Sequence, residues 1–329
     1  MSAPDGGVLR RAAAGQGAVA RSVAPVFSPG KVRQVAVITV VALVIFFAMR
    51  ALPTGTALSH MDFRVEGKGA SSIEFCDPAN PQFIPVVAAR SPVSMAIALR
   101  EPPVAGRAWS GMVRLQTSSG RPIGPEDLWV AHTRKLHLLI VDPTLDDYQH
   151  VHPEPTKTAG EWAFTFSPRR GGNYRFFADF TPAATGRGLY ASADLAVDLG
   201  EATPPVAPRA RRAEVDVAGY TFGLTTARSP AQAGRPLDLK FKVRQTGGGP
   251  VALAPVMGAY AHLVAFDGAR SGFAHLHPVE SDERKTLDAI NPELNFKLLI
   301  PRAGAYVIWA QVKLGGVDRF VPFPLEVLD

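Results

Sequence analysis

Cysteine is almost missing from this sequence: Cys76 is the only one in 329 residues. A single thiol excludes a disulfide framework within the chain, and it excludes thiolate zinc ribbons and iron–sulfur clusters. Cys76 itself is compatible with an intermolecular disulfide, an extra soft metal ligand or an inert buried residue. A metal site elsewhere in the chain therefore has to be built from other side chains.

Helical periodicity is also scarce. Outside one apolar segment, no 12-residue window shows a convincing 3.6-residue period. Glycine and proline instead make up about 18 % of the chain, with 30 and 29 residues. Short apolar or alternating runs recur about every 8–12 residues between turns rich in Gly, Pro and Asp. This pattern predicts an all-β chain.

No basic domain accompanies the formal charge of +6. Residues 1–33 carry five basic side chains against one acidic side chain, and Arg50 adds one more positive charge. The rest of the chain is left with a net charge of only +1. This distribution argues against a nucleic-acid partner.

The one long apolar run, Val35 to Met49, follows the basic tail directly and contains no charge. Extended to residue 52, it would span about 27 Å as a helix, enough for a bilayer core if Arg50 snorkels. We predict a single transmembrane helix at 34–52 in the inner membrane, with the tail in the cytoplasm and the rest in the periplasm. A cleaved signal peptide is the alternative, with Gly55-Thr56-Ala57 as a cleavage site.

A long internal repeat organises the remainder of the chain. The pattern His-x12-His-x-His-Pro occurs twice with the same spacing at every histidine. Its histidines are His137, His150 and His152 in the first copy and His262, His275 and His277 in the second. We divide this part into a lead segment at 53–88, a first repeat at 89–200, a linker at 201–213 and a second repeat at 214–329.

Each repeat has about 110 residues and some seven short runs, which predicts an immunoglobulin-like β-sandwich. The Cys…Trp…Cys signature of antibody domains is absent, so the prediction concerns architecture alone. The predicted fold is therefore all-β: two tandem immunoglobulin-like sandwiches that follow one N-terminal transmembrane helix.

Hairpin geometry predicts that the three histidines of each motif converge. If Val141 pairs with Tyr148, then His137 stands opposite His152, with Cβ atoms about 4.5–5.5 Å apart. His150 shares that face, because side chains two residues apart in a strand point the same way. The same arithmetic joins the histidines of the second copy. The convergence depends on this register, since a slip by one residue would send His137 to the opposite face.

Three convergent imidazoles suit zinc, copper, nickel or iron, and a methionine or fourth histidine without thiolate favours copper. His132 and Met257, each five residues before the first histidine of its motif, are further candidate ligands. Their odd offset requires a loop or bulge, which Gly258 permits in the second copy. Glu154 and Glu280, which follow the motifs, are candidates to hold a ligating histidine in place.

The repeated pattern, followed by a Pro…Gly…Tyr strand and a segment such as Tyr174–Pro182, resembles a group of bacterial extracytoplasmic proteins. These have YtkA-like or related immunoglobulin-like domains and are described as heavy-metal or copper binding. The resemblance covers both repeats. It implies that the six motif histidines form metal sites and that the ion is copper, with zinc as the alternative.

The sequence thus predicts a membrane-anchored periplasmic protein that binds copper through one histidine triad per sandwich. It would buffer the ion or deliver it to a membrane protein partner. Two alternatives stay open: a structural or assembly subunit with no metal, and a mononuclear metalloenzyme with an open coordination position. No Ser–His–Asp order, phosphate loop or paired-carboxylate signature stands out, so we predict no enzymatic activity.

Overall fold

The computed structural model describes residues 29–51, 57–63, 81–99, 101–200, 212–279 and 287–329. Several features singled out in the sequence lie outside the described residues: the tail to residue 28, positions 55 and 56, Cys76, linker residues 201–211 and Glu280. The chain divides into two compact units, Met1–Thr54 and Gly55–Asp329.

The first unit contains one described helix, α1 (Pro29–Ala51). Its apolar side chains, among them Val35, Ile38 and Phe47, are exposed rather than packed on a core. A 23-residue helix is about 34 Å long, so α1 is long and apolar enough to cross a membrane. A signal sequence near the N-terminus meets the same criteria of length and composition.

The second unit contains 18 strands and two short 3-10 helices in its described residues. The first eight strands are β1 (Val93–Ala98), β2 (Trp109–Thr117), β3 (Leu136–Val141), β4 (Tyr148–Val151), β5 (Glu154–Pro155), β6 (Glu161–Phe166), β7 (Gly172–Phe180) and β8 (Leu189–Val197). The other ten are β9 (Glu214–Val217), β10 (Tyr220–Thr226), β11 (Ala231–Gln232), β12 (Pro236–Gln245), β13 (Leu253–Ala254), β14 (His262–Asp267), β15 (Phe273–Leu276), β16 (Glu293–Leu299), β17 (Gly304–Leu314) and β18 (Val317–Leu328). The 3-10 helices are His60–Phe63 and Pro125–Asp127.

Each repeat folds into two facing sheets. In the first repeat the strand orders are β1-β2-β6-β5 and β4-β3-β7-β8. In the second they are β9-β10-β12-β16 and β11-β18-β17-β14-β15, with β13 on β17. Buried apolar side chains fill the space between the paired sheets, such as Val113 and Phe176 in one repeat and Phe241 and Ile308 in the other. The prediction of all-β sandwiches after an N-terminal helix is confirmed.

A third apolar core joins the two repeats, and we call it the seam. It collects side chains of both repeats, including Leu139 and Phe177 from the first and Phe266 and Trp309 from the second. All six residues of β3 are buried, because alternate side chains face the core of the first repeat and the seam. The β4-β3-β7-β8 sheet of the first repeat therefore packs against the β17-β14-β15 part of the second.

Hydrogen bonds reinforce the seam. The Trp309 indole N–H donates to the carbonyl of Leu145 at 3.2 Å. Arg175 donates to the carbonyl of Arg270 at 2.8 Å, and Arg270 donates in return to the carbonyl of Asn173 at 2.6 Å. These bonds satisfy main-chain carbonyls at the contact, which would otherwise be costly to bury.

The lead segment contacts both repeats. In residues 57–63, the amides of Ala57 and Leu58 donate to the Asp127 carboxylate at 2.8 and 2.9 Å in the first repeat. Residues 81–89, which we call the strap, run along the second repeat, where the Ile84 amide donates to the carbonyl of Phe273 at 2.8 Å. The two described pieces of the lead segment therefore contact different repeats.

Candidate metal centre

The strand register brings the motif histidines together. In the first repeat Val141 pairs with Tyr148 and Leu139 pairs with His150, as predicted. The hairpin of β14 and β15 has the equivalent register, with Val264 opposite His275. The predicted register is thus confirmed in both copies.

Two histidine triads result. The first triad is His137, His150 and His152, and the second triad is His262, His275 and His277. Ring centroids lie 4.9 to 5.3 Å apart in the first triad and 4.8 to 5.5 Å apart in the second. Within each triad, one nitrogen per ring lies within 4.8 Å of the others, so each triad could hold a metal ion. Five of the six rings are buried, and His152 is half-buried.

The two triads adjoin each other at the seam. His275 of the second repeat lies 5.5 Å from His150 and 6.0 Å from His137, measured between ring centroids. Side chains alternate between the two faces of β3, so His137 lies on the same face as Leu139 and Val141, which pack in the seam. Sequence analysis placed one separate site in each sandwich, and the structure instead makes the two sites neighbours.

Hydrogen bonds define the protonation of the first triad. A carbonyl only accepts, so His137 donates its Nε2–H to Ala131 at 3.0 Å and its Nδ1 carries a lone pair. His150 donates its Nδ1–H to Oε1 of Gln311 at 3.0 Å, and Gln311 directs its amide nitrogen toward Asp318 at 3.5 Å. His150 Nε2 therefore also carries a lone pair. We call a ring nitrogen in this state bare.

The two bare nitrogens, His137 Nδ1 and His150 Nε2, lie only 3.1 Å apart. Neutral lone pairs at this distance repel each other unless a cation lies beside them. Two nitrogens bound to one tetrahedral ion are about 3.3 Å apart, given metal–nitrogen bonds of about 2.0–2.1 Å. The third nitrogen, His152 Nε2, is buried without a hydrogen-bond partner. The first triad therefore has the spacing and the lone pairs of a metal ligand set.

The second triad has the same outer hydrogen bonds. His262 donates its Nε2–H to the carbonyl of Val256 at 2.8 Å, as His137 does to Ala131. His275 Nδ1 is bonded to the Asp179 carboxylate at 3.2 Å. Three ring nitrogens are then left buried without a partner: His262 Nδ1, His275 Nε2 and His277 Nε2. In both triads the candidate ligand atoms are Nδ1 of the first histidine and Nε2 of the other two.

The electrostatics of the cluster favour a cation. Burial lowers the pKa of all six motif histidines, to about 3 for His152 and His262, so the rings are neutral near pH 7. Neutral imidazole is the form that binds metals. Burial also raises the pKa of Asp179, whose only partner among the described ion pairs is His275. A buried carboxylate among neutral rings lacks the positive charge that a metal ion would supply.

The two further candidates, His132 and Met257, occupy equivalent tight turns. Both have a left-handed backbone, with φ of 48° and 50°. The same turns supply the carbonyls of Ala131 and Val256 that orient the triads. The loop placement that ligation required is thus present, although no metal role for either residue follows from the turn alone.

The His132 ring crosses the seam and lies on His277, with centroids 3.8 Å apart and planes 33° apart. The His132 ring thus lies directly beside the second triad. Met257 is half-buried. Glu154 is exposed and pairs with Arg134 at 3.2 Å, so its described ion pair is with an arginine instead of a motif histidine.

Sequence analysis missed two residues of the centre, Asp179 and Gln311. They occupy matching positions, because Asp179 pairs with His137 across β3 and β7, and Gln311 pairs with His262 across β14 and β17. Each is a buried polar residue in a strand that is otherwise apolar around it. That interruption, found at the same place in both copies, is the signal that could have identified them.

Fold and site define a class: a tandem β-sandwich protein with a histidine-lined seam, preceded by an apolar helix. A family model described as "Domain of unknown function (DUF8832)" matches residues 93–197 and, a second time, residues 213–329. These matches cover more than half of the chain, which therefore belongs to the DUF8832 family. The family's description assigns no activity. No curated protein matches the sequence.

Similar solved structures are distant. A Corynebacterium diphtheriae protein described as membrane anchored is 8 % identical, with 73 % of this chain and 60 % of that chain covered and a TM-score of 0.24. Fibronectin(III)-like modules of Clostridium thermocellum CbhA are 10 % identical over 71 % of this chain and 94 % of that chain, with a TM-score of 0.19. A DUF4785 family protein from Legionella pneumophila is 10 % identical over 70 % and 55 %, with a TM-score of 0.23. Likenesses at this level carry no argument about function.

Proposed function

We propose that this chain is a membrane-anchored periplasmic metal-binding protein whose two triads each hold a copper ion. The observation that carries the proposal is the set of matched ligand atoms. In each repeat one nitrogen from each of the three rings lies within 4.8 Å of the others. The candidate nitrogens of the second triad and His152 Nε2 have no hydrogen-bond partner, and His137 Nδ1 and His150 Nε2 have only each other. Two independent copies of such an arrangement are hard to explain as ordinary hydrogen-bonded clusters.

Copper is favoured over zinc by the chemistry of the ligand set. The described cluster offers imidazole nitrogen with no thiolate, and Met257 stands in the turn next to the second triad's orienting carbonyl. For nitrogen ligands, divalent copper binds more tightly than zinc. The resemblance to YtkA-like domains points to the same ion.

Burial of the triads favours storage or transfer of an ion over turnover of a substrate. The half-buried His152 reaches an open groove, which is also lined by Met112 and Glu154. This groove is the route by which an ion would enter or leave the first triad. A protein with two adjoining sites and a route to the first of them suits buffering, or delivery to a membrane protein partner.

The membrane placement rests on α1 and on the basic residues before it. The excess of Lys and Arg within residues 1–33 favours a cytoplasmic N-terminus, which puts the sandwiches in the periplasm. Protease added to intact spheroplasts should then digest the sandwiches, and the mass of the mature chain should include the helix. A mature N-terminus near residue 57 would instead establish a cleaved signal peptide.

Metal titration of the detergent-purified full chain tests the function. We expect two ions per chain, one in a variant with alanine at all three histidines of the second triad, and none when both triads are replaced. His60→Ala is the matched control, because His60 is exposed in a 3-10 helix away from the motifs. Cu(I), Cu(II) and Zn(II), each with a competing chelator, identify the ion. Equal stoichiometry in the wild type and the variant lacking both triads would refute metal binding at these residues.

A structural role for the cluster is the second candidate, and the hydrogen bonds across the seam favour it. His150–Gln311 and His275–Asp179 each join the two repeats. The same titration decides between the two, because a purely structural cluster would bind no ion in the wild type. Its alanine variants would then only lower the thermal midpoint.

A further inference from the structure

The two triads differ in one hydrogen-bond acceptor: a carboxylate serves the second and an amide serves the first. We propose that the triads form one two-ion centre with unequal halves, in which the second triad takes the first divalent cation because Asp179 supports it. This inference rests on the proposed function. It adds the order of filling, the preferred ion charge and the residue that determines both.

The acceptors are exchanged between the repeats. Asp179 belongs to the first repeat and bonds His275 of the second at 3.2 Å. Gln311 belongs to the second repeat and bonds His150 of the first at 3.0 Å. The second histidine of each motif, His150 or His275, is therefore hydrogen-bonded to a residue of the other repeat. Neither triad has its full set of contacts without the partner sandwich.

Asp179 and Gln311 can be compared directly, because they occupy equivalent positions in the two repeats. Asp179 and Gln311 stand opposite the first histidine of their own repeat, and each accepts from Nδ1 of the equivalent ring. Strand register and hydrogen-bond role are the same in both halves. What differs is the charge of the acceptor.

A carboxylate that accepts the Nδ1–H of an imidazole makes the other nitrogen a stronger donor and orients the ring. Its negative charge also offsets part of the charge of a bound dication, and burial limits screening by solvent. The neutral Gln311 amide orients His150 without supplying charge. A divalent ion is therefore bound more tightly by the second triad than by the first.

The distance between the triads makes the second ion harder to bind. Rings of the two triads approach to 5.5 and 6.0 Å across the seam, so two dications would repel each other through a buried region. A monovalent ion is attracted less by the Asp179 carboxylate and is repelled less by a second bound ion. The separation between the two binding constants should consequently be larger for Zn(II) or Cu(II) than for Cu(I).

The test is a competition titration of the full chain with Zn(II) and with Cu(I). We expect two distinct Zn(II) constants in the wild type. Asp179→Asn should weaken the tighter one by about 10–100-fold, the usual effect of losing such a partner, and should weaken Cu(I) binding less. Gln311→Glu should strengthen the weaker Zn(II) constant. The double variant Asp179→Asn/Gln311→Glu should reverse the order of filling.

Single-triad variants assign each constant. Asp179→Asn should weaken Zn(II) binding more when only the second triad is left than when only the first is left, because Asp179 bonds His275 directly and only lies opposite His137. Asn keeps an acceptor oxygen, so a merely structural loss would reduce Zn(II) and Cu(I) binding equally. Equal Zn(II) constants in the wild type, or equal weakening of both triads by Asp179→Asn, overturn the inference while leaving metal binding intact. Absence of metal binding in the wild type overturns the proposed function and this inference together.

Discussion

At the scale of single residues, the centre depends on which nitrogen of each imidazole carries the proton. The carbonyls of Ala131 and Val256 hold the Nε2–H of the first histidine in each motif. That leaves Nδ1 as the candidate ligand atom, aimed at the other two rings. The turns that supply these carbonyls also carry His132 and Met257, so one local structure orients a triad and presents a neighbouring side chain.

His132→Ala tests whether the stacked ring covers the second triad. The centroid of the exposed His132 ring lies 3.8 Å from that of His277. Removal of the ring should therefore expose the second triad to solvent. We expect unchanged ion stoichiometry and several-fold faster removal of Zn(II) by a chelator, measured by stopped flow. Met257→Ala, at the matching turn, is the control. Loss of one bound ion in His132→Ala would instead make His132 a ligand.

The buried histidines should add to the loss of stability that the metal-free protein shows at low pH. The motif histidines have a lowered pKa in the folded chain, about 3 for His152 and His262, against about 6.5 unfolded. Below pH 6.5 the unfolded chain therefore binds more protons, and the free energy of unfolding falls as pH falls toward 3. The raised pKa of Asp179 opposes this in part, because that group binds its proton more readily when folded.

Urea unfolding of chelator-treated protein at pH 7.5, 6 and 5 measures this dependence. Each buried histidine contributes up to about 1.4 kcal/mol per pH unit within its window. His275→Gln, which has no ring to protonate, should flatten the dependence, and His60→Ala should not. An unchanged unfolding midpoint between pH 7.5 and 5 would contradict the neutral state assigned to the rings.

At the scale of elements, β3 and its counterpart β14 position the centre. Both are almost continuously buried, since alternate side chains enter a sandwich core and the seam. The sequences of these strands are almost continuously apolar and do not alternate with polar residues, which is typical of strands covered on both faces. Their hairpin partners β4 and β15 carry His150 and His275, and His152 and His277 follow directly after these strands.

The strap provides a test of how an element outside the repeats supports the second triad. Gly272 lies directly under it, and a Cβ there would approach the carbonyl oxygen of Ile84 to 1.8 Å. Gly272→Ala should therefore displace the strap and lower the free energy of unfolding by about 1–3 kcal/mol. Gly268→Ala in the same hairpin is the matched control, because its nearest contact is an ordinary 3.9 Å from Ala305. Equal urea midpoints for the two variants would contradict this role of the strap.

At the scale of the whole molecule, the seam joins the two sandwiches within one compact unit. Trp309 is buried there, packs on Tyr148 with ring centroids 5.7 Å apart, and donates to the carbonyl of Leu145. The triads occupy the same interface. Folding, docking of the repeats and assembly of the centre are therefore coupled.

Trp309→Ala should lower the free energy of unfolding by about 3–5 kcal/mol, as expected for truncating a buried aromatic side chain. It should also weaken metal binding at both triads, because the acceptors exchanged across the seam move with the repeats. Phe222→Ala, in the second repeat's own core, is the comparison. It should destabilise to a similar degree yet leave the first triad's affinity unchanged in the folded protein. Equal effects on metal binding would argue against coupling through the seam.

Local features of the site were predictable from the sequence. The repeat indicated two copies of one sandwich, and a hairpin register in which Val141 pairs with Tyr148 brought the three histidines of each copy together. The observed pairing of Val141 with Tyr148 confirms this register. These features depend on residues close together in the chain, where spacing alone restricts the geometry.

Only the tertiary structure decided that the two sites meet. Asp179 reaches His275 across 96 residues and Gln311 reaches His150 across 161. No local spacing encodes which faces of two sandwiches pack together, because any apolar face can be buried against any other. The sequence by itself thus determined the triads, whereas the fold made them one centre and supplied the carboxylate that distinguishes its halves.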